Sequence, residues 1–457
     1  MASSHAHALH LPTAVDKRRD GKHTAAHALL AFFTALTMLS RAEATIITAD
    51  ANSERITLPS PATPDLAAAR SGCPHEAAQL IPWHDPAAWT GGAVPATAGE
   101  AATLAAGVTV LLQDEPTGAG SASTPLGLLT IPSTSELVLG ENVASGTLLH
   151  AHGIAVEGAL RAGAESCRLE ARVSIVLHGA RPAGGEVVES WYKGIVVSGA
   201  GTLELHGKQF YHTWTRLARR VTAGDTTLLL QGAVNWEPGQ QVLLVTTALK
   251  DARDWHRNEV LTIAAVPPLQ DTEWAGSGVG AVVVLTSAAQ HDHEAIGAYQ
   301  GEVALLSRQI VVQGADGDSP PTDVAPASCT HPQWRLGSNS VPCATTHLTG
   351  FGGHILAAGP EATAKVAGVE LFQMGQTNEL GRYPLHFHVM GAQGGARSYM
   401  RDCSVHRSYY RCVSIHGTSY VIISQNVAYD VTGYCYYLEV RVEELQPQPY
   451  PKPEPQA

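Results

Sequence analysis

Short runs of alternating apolar and polar residues, separated by glycine, cover most of the chain from residue 81 onward. The runs are Thr103–Leu112, Glu136–Leu139, Gly153–Leu160, Val173–Leu177, Gly194–Leu205, Thr226–Leu230, Gln241–Thr246, Glu259–Ala264, Ala281–Leu285 and Gln309–Gln313. Alternation with a period of two predicts β-strands rather than amphipathic helices. Turns at intervals of about ten residues indicate an all-β fold, which could be a sandwich, a barrel or a β-helix.

Between residues 365 and 439 the pattern repeats. The repeats are Lys365–Met390, Tyr399–Thr418 and Tyr420–Glu439, and each contains a closing strand: Leu385–His388, Val413–His416 and Tyr436–Glu439. The closing strands are offset by 28 and 23 residues. Such a period, with two or three short strands per repeat, predicts a right-handed parallel β-helix whose coils bury their inward side chains by stacking.

Stacking also predicts which residues are neighbours. Equivalent positions in adjacent coils lie about 4.8 Å apart. Superposing the closing strands places His388, His416 and Glu439 in one column and puts Cys412 beside Cys435 in the next. Because that separation suits a disulfide, we predict a Cys412–Cys435 bond.

The column is the candidate catalytic site. His386 lies two residues before His388, so both side chains face the same side of a strand. Together with His416 and Glu439 they could bind a metal ion, either a transition metal through imidazole or Ca²⁺ through carboxylate. Alternatively, they could act as general acid and base on a glycosidic bond. A third interpretation is a ladder that serves packing and hydrogen bonding alone.

Arginines surround this column. Arg382 and Arg411 are the candidate substrate-binding residues, because a guanidinium can hold a sugar carboxylate with two parallel hydrogen bonds. A further weak signal for Ca²⁺ is the pair Asp316 and Asp318, although their spacing does not complete an EF-hand loop.

The composition and charge of the chain limit the classes of partner that it can bind. Charged residues make up only 15% of the 457 residues, while there are 44 glycines and 27 prolines, as expected of a turn-rich β protein. The net charge of −12 argues against nucleic acid or an anionic membrane as partner. It is compatible with Ca²⁺ as a cofactor, and a polyanionic substrate would need a local basic patch.

The first 44 residues have the pattern of a signal peptide. A basic stretch precedes the apolar run Ala25–Leu39, and the small residues Ala42 and Ala44 follow. The run of about 15 residues is short for a membrane span, and an uncleaved anchor is the alternative. We therefore expect a secreted or cell-surface protein, with membrane contact only through such an anchor. Residues 45–80 are interpreted as a linker.

In a secretory compartment cysteines pair, yet the chain has seven. One is therefore either free or lacks its partner within this chain. Cys329 and Cys343 are expected to close an irregular loop. The proline-rich residues 440–457 cannot add sheet hydrogen bonds, so we expect a disordered tail and a β-helix that is truncated at its C-terminal end.

Several longer motifs resemble a known family. Trp83–Pro95 resembles the opening of the eight-glycine (G8) domain, and the segments that match further family elements are Lys193–Gly207, Glu302–Arg308, Phe351–His354, Gly381–His388 and Arg411–Gly417. The resemblance covers about residues 81–439 and is to proteins that join this domain to parallel β-helix repeats, among them hyaluronan-associated and fibrocystin-like members. It implies a G8 domain at 81–207, a β-rich connecting region at 208–345 and β-helix repeats at 346–439.

What the family does is carried over as an expectation. Its hyaluronan-associated members imply an extracellular polysaccharide as partner, and they imply binding and Ca²⁺-dependent depolymerisation of hyaluronan or another uronic-acid glycan. Its fibrocystin-like members share the domains without an established hydrolase role, so a non-catalytic carbohydrate-binding or adhesion protein is the alternative. Fold kinship alone does not decide between them.

Overall fold

The structure is a computed structural model that describes residues 70–182, 188–248, 257–318, 350–377 and 379–439, with the short segments 48–50, 55–57, 335–336 and 339–340. The predicted signal peptide, most of the predicted linker, the proposed Cys329–Cys343 pair and the proline-rich tail lie outside the described residues.

Short β-strands dominate the described residues. Up to residue 206 they are β1 Thr48–Asp50, β2 Arg55–Thr57, β3 Ile81–Pro82, β4 Ala102–Thr103, β5 Thr109–Leu112, β6 Leu126–Ile131, β7 Glu136–Leu139, β8 Thr147–Val156, β9 Ala159–Ala162, β10 Val173–Leu177, β11 Gly194–Val197 and β12 Thr202–His206. The next group is β13 Trp214–Arg216, β14 Thr227–Leu230, β15 Gln241–Leu244, β16 Glu259–Ala265, β17 Ala281–Leu285, β18 Ala295–Ile296, β19 Tyr299–Gln300 and β20 Glu302–Leu305.

The remaining strands are β21 Ile310–Gly314, β22 Arg335–Leu336, β23 Asn339–Ser340, β24 His354–Ala358, β25 Thr363–Ala367, β26 Val369–Phe372, β27 Leu385–Met390, β28 Tyr399–Arg401, β29 Ser404–Ser408, β30 Val413–Thr418, β31 Ile422–Ser424, β32 Val427–Val431 and β33 Tyr436–Glu439. One short α-helix is described, α1 Gly391–Ala396. Single 3-10 turns are formed by Pro74–Glu76, Pro86–Ala88, Leu269–Asp271 and Asp316–Asp318.

Two long sheets with parallel pairing form a β-helix, as predicted. One sheet has thirteen strands and follows the order β32-β29-β26-β21-β10-β8-β11-β24-β27-β30-β33, with β6 also paired to β8 and β4 to β6. The other has eight strands in the order β3-β5-β7-β9-β12-β25-β28-β31. Each C-terminal coil supplies three strands, for example β27, β28 and β29. Stacking three strands per coil buries the inward side chains along the whole solenoid.

A separate sheet is inserted between β12 and β21. It has six antiparallel strands in the order β13-β20-β15-β16-β17-β14. Its buried residues, from Phe210 to Leu305, form their own apolar core. The predicted β-rich connecting region therefore has a core of its own.

The G8 segment and the C-terminal repeats share one core. Buried residues from Trp83 to Val413 form a continuous cluster. Strands that precede the insert pair directly with strands that follow it, in the parallel pairs β11–β24 and β12–β25. The predicted domain bounds stay a prediction, but residues 81–207 and 346–439 do not have separate hydrophobic cores.

Two disulfides tie the coils together. Cys412 and Cys435 are bonded with their Cα atoms 4.5 Å apart, which confirms the bond expected from coil stacking. A second bond joins Cys73 to Cys167. Among the described cysteines, Cys403 is free and buried.

Candidate functional site

The predicted column exists in the backbone pairing. In the parallel pair β27–β30 the partner of His388 is His416, and in β30–β33 the partner of His416 is Glu439. The sequence superposition therefore gave the correct register over all three closing strands. The catalytic roles of these residues stay a prediction.

Successive side chains of β27 point alternately into the core and towards the candidate site. Leu385 and Phe387 are fully buried in the core, so His386 and His388 project from the other face of the strand. His386 is nevertheless only 3% exposed. The Tyr383 ring covers it, with ring centroids 5.0 Å apart.

Three imidazoles converge on this outer face. One ring nitrogen from each of His386, His388 and His416 lies within 4.8 Å of the other two. Nδ1 of His388 and Nδ1 of His416 are 3.1 Å apart, a distance at which one nitrogen donates a proton and the other accepts it. The rings of His386 and His416 are nearly parallel, at 8°.

His386 is held as a neutral ring in one tautomer. Its Nδ1 donates a hydrogen bond to the Gly381 carbonyl oxygen, at 3.0 Å. The pKa of His386 is lowered to about 3, mainly by burial, and the neighbouring His388 and His416 act in the same direction. Its Nε2 therefore carries a lone pair. That atom is buried and has no hydrogen-bond partner among the described residues.

Arg411 lies beside the column and is surrounded by aromatic rings. Its guanidinium carbon is 3.6 Å from the ring centroid of Tyr437 and 4.6 Å from that of Tyr383. Its Nη1 is 3.9 Å from the Glu439 carboxylate and 3.4 Å from the Ser414 hydroxyl. The arrangement places a positive charge and π-faces next to the histidines.

Arg382, the other predicted substrate-binding residue, has a different environment. One terminal nitrogen donates to the carbonyls of Val188 and Glu189, at 2.9 and 3.0 Å. The other donates to Gln376 and to the Tyr192 carbonyl. Because its terminal nitrogens are committed to the protein, Arg382 anchors the 188–192 segment, and its substrate role stays a prediction that these contacts do not favour.

Neither the tyrosines that frame Arg411 nor a second histidine cluster could be recognised as part of a site from the repeat pattern. His150 and His178 are joined by a 2.8 Å contact between ring nitrogens, and the His152 ring lies near His178. Burial is the main cause that lowers the pKa of His178 to about 4. The signal available in the sequence was the spacing His150-x-His152 on β8, which matches that of His386-x-His388.

Ca²⁺ binding by the Asp316–Asp318 stretch stays a prediction, and one of its carboxylates already has protein partners. The Asp318 carboxylate pairs with the fully buried ammonium of Lys193, at 2.9 Å, and accepts a bond from the Gly179 amide. A carboxylate used in this way neutralises a buried cation. Asp318 is therefore the counter-ion of Lys193.

These observations define a class of protein: a parallel β-helix with a column of titratable side chains on the outer face of one sheet. Comparison with known proteins defines it further. The G8 domain family model matches residues 88–218, and the CEMIP beta-helix model matches residues 350–446. The chain therefore belongs to the G8 domain proteins and carries a β-helix of the CEMIP type.

Individual relatives agree with this assignment. A G8 domain-containing protein of Dictyostelium discoideum is 37% identical over 393 residues, covering 86% of this chain and 24% of its own length. Communication mutant protein F of the same organism is 35% identical, covering 86% and 31%. Fibrocystin-L of Homo sapiens is 28% identical, covering 79% and 8%. This chain thus spans under a third of the length of each of these relatives.

Among solved structures, the tailspike gp61 of Pseudomonas phage phi297 aligns with 65% of this chain and 42% of its own at 11% identity, with a TM-score of 0.21. Within the described part of this chain, no helix combines the length and hydrophobicity needed to cross a bilayer.

Proposed function

We propose that the outer face of β27, β30 and β33 binds an acidic polysaccharide and cleaves it. The observation that carries the proposal is the placement of the Arg411 guanidinium directly beside the histidine column. A glycan lying along this face would meet a cation, aromatic rings and proton-accepting nitrogens within one short stretch.

Arg411 is suited to bind a uronate carboxylate. Its present partner is the Glu439 carboxylate, 3.9 Å from the Arg411 guanidinium, and the Glu439 side chain is 44% exposed. Pairs of this kind contribute only about 0–1 kcal/mol to stability, so a sugar carboxylate with two parallel hydrogen bonds could displace Glu439. The Tyr437 ring that supports the guanidinium would hold it in place.

The net charge of −12 repels a polyanionic glycan at long range. The positive charge of Arg411 has to overcome this repulsion at the site itself. Binding is then carried by short-range contacts rather than by attraction at a distance. We expect retention on the glycan to depend on Arg411 itself more than on ionic strength.

The histidines supply the chemistry of cleavage. An imidazole lone pair can accept a proton from water or from a sugar carbon. Alternatively, His386, His388 and His416 would hold a metal ion, which would supply activation of water. Glu439 is paired with Arg411 and lies outside the group of converging histidine nitrogens.

The position of Glu439, away from the histidine nitrogens and beside Arg411, favours a second candidate function, in which the same face binds glycan without cleaving it. The two functions differ in one readout, the chain length of the glycan after incubation.

The experiment uses the full secreted chain and a panel of uronic-acid polysaccharides, with and without Ca²⁺. Retention on immobilised glycan and the chain length of soluble glycan are measured separately. We expect retention and shortening for the wild type. Arg411→Gln should weaken retention by about 10–100-fold, the equivalent of one charged hydrogen-bond pair, because the carboxylate contact is lost.

Arg219→Gln is the matched control, since Arg219 also stacks on an aromatic ring, that of Trp274 at 4.8 Å, but lies in the inserted region, between β13 and β14. Retention without shortening would leave binding alone as the function. Equal retention of wild type and Arg411→Gln would contradict the proposed site.

A further inference from the structure

The three histidines form a nitrogen donor set with the geometry of a metal centre. We propose that His386, His388 and His416 bind one divalent transition-metal ion of the Zn²⁺ type. The ion binding itself does not depend on the proposed function, but its use in cleaving glycan rests on it.

His386 has the features of a prepared ligand. Its Nε2 lone pair is buried without a hydrogen-bond partner among the described residues, and an ion at this position would satisfy it. Its Nδ1 donates to the Gly381 carbonyl. Metal-bound histidines almost always donate their other N–H in this way, which fixes both the tautomer and the orientation of the ring.

His388 and His416 complete the set at a suitable spacing. Two nitrogens bound to one tetrahedral ion at 2.0–2.1 Å lie about 3.4 Å apart. The Nδ1 atoms of His388 and His416 are 3.1 Å apart, and the β27–β30 register fixes their backbones as direct partners. One ring nitrogen from each of the three histidines lies within 4.8 Å of the other two, so the group is close to the spacing that one ion requires.

The donor set suits Zn²⁺ rather than Ca²⁺. Imidazole nitrogen binds Zn²⁺ and neighbouring transition metals, whereas Ca²⁺ takes six to eight oxygens. The nearest carboxylate in the column, Glu439, is paired with Arg411 and is not part of the convergent group. Three protein ligands leave a position open for water, which is the pattern of catalytic zinc sites. The Ca²⁺ dependence expected from the family does not fit these residues.

One other close group of metal-type ligands occurs in the described part of the chain, formed by Cys73, His75 and Glu76. Cys73 is bonded to Cys167, so its sulfur is not a thiolate ligand. That group is therefore not a comparable site.

The test measures metal content directly. The full chain is purified without a histidine tag, stripped with a chelator and titrated with Zn²⁺, and bound metal is counted by elemental analysis. Co²⁺ replaces Zn²⁺ in a parallel titration, in which visible absorption bands report nitrogen coordination. Because the chain has 22 histidines, the informative quantity is the difference between variants.

The variants His388→Ala and His416→Ala should each bind one equivalent less of tightly bound Zn²⁺ than the wild type. With Co²⁺ they should lack the visible absorption bands of nitrogen coordination. We expect the affinity to fall by more than the 10–100-fold typical for losing an outer partner of a ligand. Both residues are partly exposed, so these variants should fold, and melting curves check this. His84→Ala, an exposed histidine, should retain both signals.

Equal Zn²⁺ binding by the wild type and both column variants would overturn the inference. So would displacement of Zn²⁺ by an equal concentration of Ca²⁺. If Zn²⁺ occupies the site but no glycan is shortened, the inference stands and the cleavage part of the proposed function fails. If glycan is shortened by protein that binds no Zn²⁺ at the column, the inference fails and the proposed function stands.

Discussion

His354 should make the protein sensitive to mild acid. The ring is 1% exposed and its Nε2 donates to the Ser190 carbonyl, at 2.8 Å. Its Nδ1 lies 3.5 Å from the Gln376 amide nitrogen, which is the donor. Burial, and then the charge of Arg382, lower the pKa of His354 from 6.5 to about 4. The folded protein therefore holds this histidine uncharged at pH values where an unfolded chain binds a proton.

The sign and size of the effect follow from the two pKa values. Above pH 6.5 neither state is protonated, and below about pH 4 both are, so stability falls as the pH falls between these limits. Lowering the pH from 7 to 5 should therefore reduce the free energy of unfolding by about 2 kcal/mol through His354 alone.

The assay compares urea unfolding of wild type and His354→Gln at pH 7 and pH 5, with the disulfides intact. The variant should be less stable at pH 7 because the fitted ring is lost, yet its loss between pH 7 and 5 should be smaller by about 2 kcal/mol. His84→Gln, exposed and distant in sequence, should behave like wild type. If His354→Gln and wild type lose equal stability on acidification, the neutral, buried state of His354 is refuted.

Two sets of substitutions and one labelling measurement test the packing of the β-helix. Replacing both Cys412 and Cys435 by serine opens a crosslink of 23 residues and should lower the free energy of unfolding by about 3 kcal/mol in urea titrations; an unchanged midpoint would contradict this. Gly194→Ala places a Cβ against the His354 ring. It should reduce the free energy of unfolding by about 1–3 kcal/mol, which a lower melting temperature would report. Gly317→Ala should leave the melting temperature unchanged, because a Cβ at Gly317 meets no neighbouring atom. Burial raises the pKa of Cys403 to about 12, so peptide mass spectrometry should find this thiol unlabelled after treatment of the native protein with a thiol reagent.

The register of the candidate site could be predicted because the sequence repeats its own pattern. The closing strands carry the same alternation of core and outer residues, so superposing them fixed His388 against His416 and Cys412 against Cys435. Parallel stacking leaves few other ways to pair them, since a slip of one residue would turn the core residues outward.

Other features depend on contacts between distant parts of the chain. Arg382 binds carbonyls of Val188 and Glu189, which precede it by more than 190 residues, and no local pattern reports this. The pairing of β12 with β25 joins strands on either side of the insert, so the shared core of residues 81–207 and 346–439 could not be read from local patterns. The burial of His386 depends instead on a local contact, in which the Tyr383 ring, three residues away, packs against it.

Footprinting with hydroxyl radicals tests the central claim most directly, because it reports where a glycan lies on the surface. An acidic oligosaccharide should protect Tyr437 and His416 from oxidation and leave Ile422 unchanged. Ile422 lines a separate pocket on the eight-stranded sheet, together with Lys365 and Arg401. Protection of Ile422, with Tyr437 and His416 oxidised as in the free protein, would contradict the account and place glycan binding on the other sheet.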